Sequence, residues 1–388
     1  MKNYFYSINL KAITQLAIIL LLFTVSSYSQ TGWFSQPLPV SGQINDMVFF
    51  DANTGIIAMN STPPYILRTT NGGTNWNIGT SLRVYFLDKI DSMAVYGNGN
   101  NSNSTTIYRS YDRGLTWDST EIIYFYVIAS LYFFDRDTGL ISGFNGDIDV
   151  IWKTTNGGQS MSVFSTQTGY GGLSFLKEKY NGEYYGWNIT SGTLFKTTNS
   201  GLNWVNQNIG GNVGSVFFVN KDTGWVSYDP PLDLPRINFT INGGLNWMTQ
   251  YVDSLDYIPG EIFFTNSVLG WAGRGFYKNY ATSNGGATWG LQNIPFISSR
   301  QLSFIDSLIG WCGGNGIAKT TNGGGPITYI GIDSNNSAIP IEYKLNQNYP
   351  NPFNPSTTIS FSLLKENYVS LKIYDITGKE ILTLYDNK

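Results

Sequence analysis

The sequence predicts an all-β protein whose main body is a seven-bladed β-propeller, and three observations carry that prediction. The first is composition. Of 388 residues 15% are aromatic, 43 are glycine and only 13% are charged, a mixture suited to short strands joined by tight turns. The second is the element RTTNGGTNW at 68–76, which returns six times, with its Asn or Asp at Asn71, Asp112, Asn156, Asn199, Asn242, Asn284 and Asn322. Steps of 41, 44, 43, 43, 42 and 38 residues fit one four-stranded blade per repeat. The third is Trp33, 43 residues before Trp76, whereas the seventh copy, KTTNGGGPI, ends on Ile327. The first segment is therefore expected to supply the outer strand of the seventh blade. Hydrogen bonds between the two chain ends would then close the ring and remove its exposed edges.

Taken in order, the chain opens with Lys2 and Lys11 beside the apolar run AITQLAIILLLFTV and the small residues of SYS. This is the pattern of a signal peptide over 1–29, with an uncleaved membrane anchor as the alternative. The propeller is expected over 30–328. Each unit reads as strand A, a turn of the type in MVFFDANTGIIA, strand B, a variable loop, strand C, the Asn-Gly-Gly turn, and strand D beginning at Trp.

The turn chemistry explains the repeated element. Asn or Asp can bond its own backbone two residues on, and a tight hairpin needs a positive φ that glycine takes without steric cost. The second glycine is present in every copy, as Gly73, Gly114, Gly158, Gly201, Gly244, Gly286 and Gly324, while the first slot also holds Arg113 and Ser200. Only the second position is expected to be left-handed. A phosphate cradle would be followed by a helix and a Lys-Ser/Thr pair, and neither is present.

Several chemistries are excluded. The chain has no histidine, which removes Ser-His-Asp and Cys-His catalysis and every imidazole zinc site. Its one cysteine, Cys312, permits no internal disulfide. A net charge of -3 with 23 Lys plus Arg leaves no basic stripe for nucleic acid. No metal or cofactor is expected, and the chain is expected to be a monomer.

Comparison between repeats also demotes tempting residues. Asp51, Asp135 and Asp306 fall in A–B turns, Arg68 and Arg109 share a slot with Lys153, Lys196 and Lys319, and Cys312 stands where another unit has Ala272. Because the A–B and C–D turns share one face, the variable B–C and D–A connections share the other. The candidate ligand-binding residues there are Asp147, Asp149, Tyr228, Asp229, Asp233, Tyr251, Asp253, Asp256 and Tyr257, with Glu261 and Tyr170 nearby in sequence. An acidic, tyrosine-lined patch near blades three to five could bind sugar, a cation or a partner protein. The alternative is that these are solvated loop residues.

The T-x-[ND]-G-G-x-x-W element resembles the Asp-box of bacterial neuraminidase (BNR) repeats. Its F-x-D-x-x-x-G-W partner resembles the repeats of the photosystem II stability and assembly factor family and of sortilin-like propellers. The resemblance spans about residues 30–327 and implies fold more than activity, since Asp-box propellers include sialidases, xyloglucan hydrolases, assembly factors and binding proteins. Seven units, where sialidases have six, and no recognisable arginine trio weaken the sialidase reading.

After a polar linker over 329–341, QNYPNPFNPST and LKIYDITGKEI resemble the type A C-terminal sorting domain of the type IX secretion system of Bacteroidetes. The domain is expected over 342–388, as an incomplete, partly β-sandwich-like copy. The resemblance implies type IX secretion machinery as a partner and a secreted or outer-membrane surface location. A non-catalytic module binding an extracellular glycan or protein is the preferred function. A glycoside hydrolase working through two loop carboxylates is the alternative, and a membrane-complex assembly factor is a third possibility.

Overall fold

The computed structural model describes residues 32–101, 104–122, 127–166, 171–231, 233–252, 260–274 and 277–329, and, further on, 344–345, 348, 357, 359, 361–362, 369–375 and 377–387. The expected signal peptide and all of the expected linker but Tyr329 lie outside these residues. The chain divides into two compact units, 1–329 and 330–388. Among the described residues every regular element is a strand.

The first unit is the expected ring of seven antiparallel blades. Blades 1 to 6 span 43–78, 86–122, 127–165, 171–206, 212–252 and 262–293. Blade 7 takes three strands from Ser299–Phe304, Gly310–Gly314 and Ile317–Thr320, and its fourth, outermost strand is Phe34–Gln36. Phe34 lies opposite Lys319 and Gln36 opposite Ile317. The chain's return is less conventional. With blade 7 already complete, Thr328–Tyr329 instead pairs with Gly290–Leu291 as a fifth strand on blade 6.

The Asn-Gly-Gly turn is built by two side chains. In blade 1, Thr69 Oγ1 accepts the Gly73 N–H at 2.9 Å and donates to Asn71 Oδ1 at 3.0 Å, and Asn71 Oδ1 also accepts the Asn75 N–H at 2.9 Å. The Thr or Ser is thus as much part of the motif as the Asn, whose backbone partner is four residues on and not the expected two. Both glycine slots are left-handed, which corrects the expectation for the first. There φ lies between 56° and 70°, a region that Arg113 and Ser200 tolerate, whereas φ at the second slot is 78° to 93°. The second slot excludes side chains for a further reason. A Cβ on Gly114 would lie 2.7 Å from Ile56 of the neighbouring blade.

The seventh copy shows how closure works. Pro326 follows Asn322 by four residues and has no N–H to donate, and Asn322 Oδ1 instead accepts the Gly32 N–H at 3.1 Å. Trp33 then takes the place that Ile327 leaves. Its Nε1 donates to Gln292 Oε1 at 3.2 Å, and its ring meets Phe304 edge-on at 5.7 Å.

Aromatic packing explains the glycine that begins strand B. Phe49 is stacked at 3.5 Å on Trp311 of blade 7 and met edge-on at 6.0 Å by Trp76 of its own blade. Phe218, Phe264 and Phe304 repeat that sandwich with Trp187, Trp225 and Trp271 of the preceding blades. The residue paired with each Phe is Gly55, Gly224, Gly270 or Gly310, where a Cβ would fall on the ring. Blade 2 has Lys89 in place of Phe and, opposite it, Val95 in place of Gly. Phe and Gly are therefore exchanged together, as a steric pair should be.

A hydrogen-bond belt runs around this turn face. The first-slot N–H of each C–D turn bonds the A–B turn of its own blade, from Gly72 to Asn53 O at 2.7 Å through to Gly323 to Leu308 O at 2.9 Å. The carbonyl at the same slot receives a donor from the preceding blade: Trp311 to Gly72, Arg68 to Arg113, Arg109 to Gly157, Lys196 to Gly243, Trp225 to Gly285 and Trp271 to Gly323. The repeated Arg/Lys slot thus acts as an interblade tie at Arg68, Arg109 and Lys196. Asp51, Asp135 and Asp306 cap their own A–B turns, each accepting two N–H groups.

Candidate functional site

On the opposite face, residues from blades 2 to 7 surround a cavity of about 560 Å³. Its width comes from small residues where strand A begins. Blades 3 to 6 carry Ala129-Ser130, Gly171-Gly172, Gly214-Ser215 and Gly260-Glu261, against Asn45-Asp46, Tyr85-Phe86 and Arg300-Gln301 on blades 1, 2 and 7. The wall is rich in hydroxyls, including Ser130, Ser174, Ser215 and Ser299, and carries the ionisable groups of Glu261, Arg274 and Arg300. Arg274 is buried, with its Nε donating to Tyr280 Oη at 2.7 Å. A second cavity of about 670 Å³ shares Phe86, Ala129 and Ile189 with the first and is bordered by Tyr85 and Val127. Phe86 is 40% exposed where the two meet. Both lobes mix polar groups with a larger share of apolar surface, a combination suited to fixing a ligand's orientation while burying its carbon surface.

Three partly buried carboxylates lie on the inner strands. Asp46 Oδ2 accepts the Leu87 N–H at 2.7 Å, Asp88 Oδ2 the Phe133 N–H at 2.5 Å, and Glu261 Oε2 the Leu302 N–H at 2.6 Å. Each bond crosses to the next blade. Burial pushes Asp46 and Asp88 up to about 7 and Glu261 up to about 8. The accepted N–H groups oppose this in all three; Asp88 adds to the rise at Asp46, Asp46 adds to it at Glu261, and Lys177 lowers Asp88. Burial likewise pushes the Cys312 thiol up, consistent with an inert core residue.

The residues read from the sequence occupy several places. Asp147 is exposed at the tip of the blade 3 B–C turn, where Asn145 Oδ1 accepts its N–H at 3.0 Å, and Asp149 lies opposite Phe144 on that hairpin. Asp229 ends strand B of blade 5 opposite Asn212, and Asp233 pairs with Arg236. Asp229 and Asp233 border a hollow of about 800 Å³ with Asn212 and Pro230. Blade 4 stands between these two groups. Tyr228 is 8% exposed, in a core with Trp187 and Leu194, and Tyr251 is half-buried, its ring 4.9 Å from that of Tyr280. Asp253, Asp256, Tyr257 and Tyr170 lie outside the described residues.

Reading the sequence by loops missed the axial cavity and singled out neither Asp46 nor Asp88. Two signals were available: glycine at the start of strand A in blades 4 to 6, and acids inside otherwise apolar strands, as in QINDMVF and FLDK.

The second unit contains the hairpin Val369–Tyr374 with Glu380–Asn387 and the short pair Lys344–Leu345 with Phe361–Ser362. Asp375 Oδ1 accepts the N–H groups of Thr377 and Lys379, and Gly378 is left-handed at φ 84°.

Residues 347–388 match the secretion system C-terminal sorting domain. No curated protein matches the chain. Among solved structures, YCF48 bound to D1 peptide is similar at 14% identity and a TM-score of 0.59, over 76% of this chain and 98% of that one. The GH74 enzyme of Niastella koreensis is similar at 13% identity and a TM-score of 0.61, over 77% of this chain and 55% of that one. At these identities the likeness concerns the fold alone, and it includes a peptide-bound protein and an enzyme. The chain is a seven-bladed β-propeller followed by a C-terminal sorting domain that marks it for secretion or the cell surface.

Proposed function

We propose that this is a type IX-exported, non-catalytic binding or scaffold propeller that holds an extracellular glycan or protein segment on its connection face. The carrying observation is the two-lobed axial depression. Small residues on four successive blades open it, hydroxyls line it, and the one carboxylate among its described lining residues, Glu261, is already bonded to a backbone N–H. The turn carboxylates Asp147, Asp149, Asp229 and Asp233 supply the rim in this reading. Tyr228 and Tyr251, packed into interblade cores, would support that rim from behind, and Asp253, Asp256 and Tyr257, outside the described residues, are further candidates for it. Secretion is supported by the sorting domain and by the apolar N-terminal segment.

A hydrolase reading is favoured by one feature. Glu261 borders a cavity with its carboxyl pushed up to about 8, as a general acid requires. Glycoside hydrolysis needs a second carboxylate on the substrate, and the described lining supplies none besides Glu261. The deciding experiment screens the full chain on glycan and peptide arrays and on chromogenic glycosides. Binding that Phe86→Ala weakens, without turnover, supports the proposal. Turnover that Glu261→Gln abolishes replaces it with the hydrolase.

A further inference from the structure

We propose that Asp46, Asp88 and Glu261 make the packing between blades responsive to pH, so that the propeller holds more tightly in acidic medium and loosens as the medium turns alkaline. The geometry comes first. Asp46, Ser130, Ser215 and Glu261 occupy the same register position on their inner strands, and each accepts an N–H from the next blade, at 2.7, 3.2, 3.0 and 2.6 Å. On blade 2 that position is Phe86, and Asp88, two residues on, makes the corresponding bond to Phe133. Since serine makes the bond in two blades, a hydroxyl suffices for it. What the three acids add is a titratable group held, partly buried, between blades.

The groups acting on them are few. Asp88 acts on Asp46, Asp46 acts on Glu261, and Lys177 from the long A–B hairpin of blade 4 acts on Asp88. Tyr132 of blade 3 lies within reach of the Asp88 charge, and Arg274 and Arg300 border the same cavity as Glu261. Burial is the largest influence on all three acids, which are pushed up to about 7, 7 and 8.

A second observation makes the effect readable. The chain has no histidine, the usual side chain to titrate between pH 5 and 8. Asp51, Asp91 and Asp112 are shifted downward, away from that window. The terminal amine is the other ordinary group there.

The direction of the effect follows from linkage. These carboxyls hold protons in the folded ring to a higher pH than in the unfolded chain. The stability so conferred is fully present below about pH 4 and is lost as the pH rises through about 7 to 8.

Scanning calorimetry of the full chain at pH 5.5, 7.0 and 8.5 tests the proposal. The expected result is an unfolding midpoint that falls by roughly 3–8 °C from the lowest to the highest of these pH values. Asp46→Asn, Asp88→Asn and Glu261→Gln combined should flatten the profile, since an amide oxygen still accepts the N–H but takes up no proton. A flat profile in the unaltered chain, or an unchanged slope in the triple variant, overturns the proposal. If the variant does not fold, carboxyl-carbon NMR titration of the unaltered chain decides. Three carboxyl midpoints between about 6 and 8 support it, and all midpoints below about 5 refute it.

Discussion

The two faces of the ring follow different rules. On the turn face the same bonds recur blade after blade: hydroxyl to glycine N–H, Asn or Asp to the fourth N–H, first-slot N–H to the A–B turn. On the connection face no two blades match. Blade 2 extends its B–C hairpin to Asn101 and Ser104, blade 3 turns tightly through Asp147, and blade 5 carries a Pro-rich loop bordering a hollow. A repeated slot is constrained by the need to pack identical units against each other. A ligand site on a ring is asymmetric and so appears as a departure from the repeat.

Perturbing closure should break this contrast most severely. Trp33→Ala removes a buried ring from the only blade built from both chain ends, and should cost about 3–5 kcal/mol, read as a lowered denaturation midpoint. Next comes the steric pair. Gly55→Val places a side chain on the sandwiched Phe49 ring and should cost about 1–3 kcal/mol. Combining it with Phe49→Lys, which reproduces the Lys89–Val95 pair of blade 2, should cost less than the sum of the two single changes.

Smaller again is Thr240→Val. It leaves the Gly244 N–H without its 3.0 Å acceptor and should lower stability by about 1–2 kcal/mol, as measured by urea unfolding. At the far end, Asp147→Ala and Asp229→Ala on the connection face should each change stability by less than about 0.5 kcal/mol. Any consequence of these two should appear as altered ligand affinity. A stability loss from either as large as that from Thr240→Val would erase the distinction between the faces.

Much of the fold was legible because it is repeated. Seven copies of one turn announce seven blades, and the Trp missing from the last copy, answered by Trp33, announces where the ring closes. The left-handed first slot was not legible, because Arg113 and Ser200 can adopt φ near 60° and so hide the constraint. The sandwich around each Phe was also hidden. It joins strand A of one blade to strand B of the preceding one, and no local pattern records that contact.

The candidate site shows the same division. Loop composition pointed to the connection face, but it could not foresee that Tyr228 and Tyr251 pack into interblade cores or that Asp147 and Asp229 stand two blades apart. The sequence alone determined blade number, the left-handed second glycine of each turn, ring closure and the sorting domain, since each rests on short-range spacing or on a repeated slot. Only the tertiary structure decided where the cavity lies and which acids are held between blades. Both depend on residues far apart in the chain meeting at the axis, where lost hydration and small side chains, not any motif, set the chemistry.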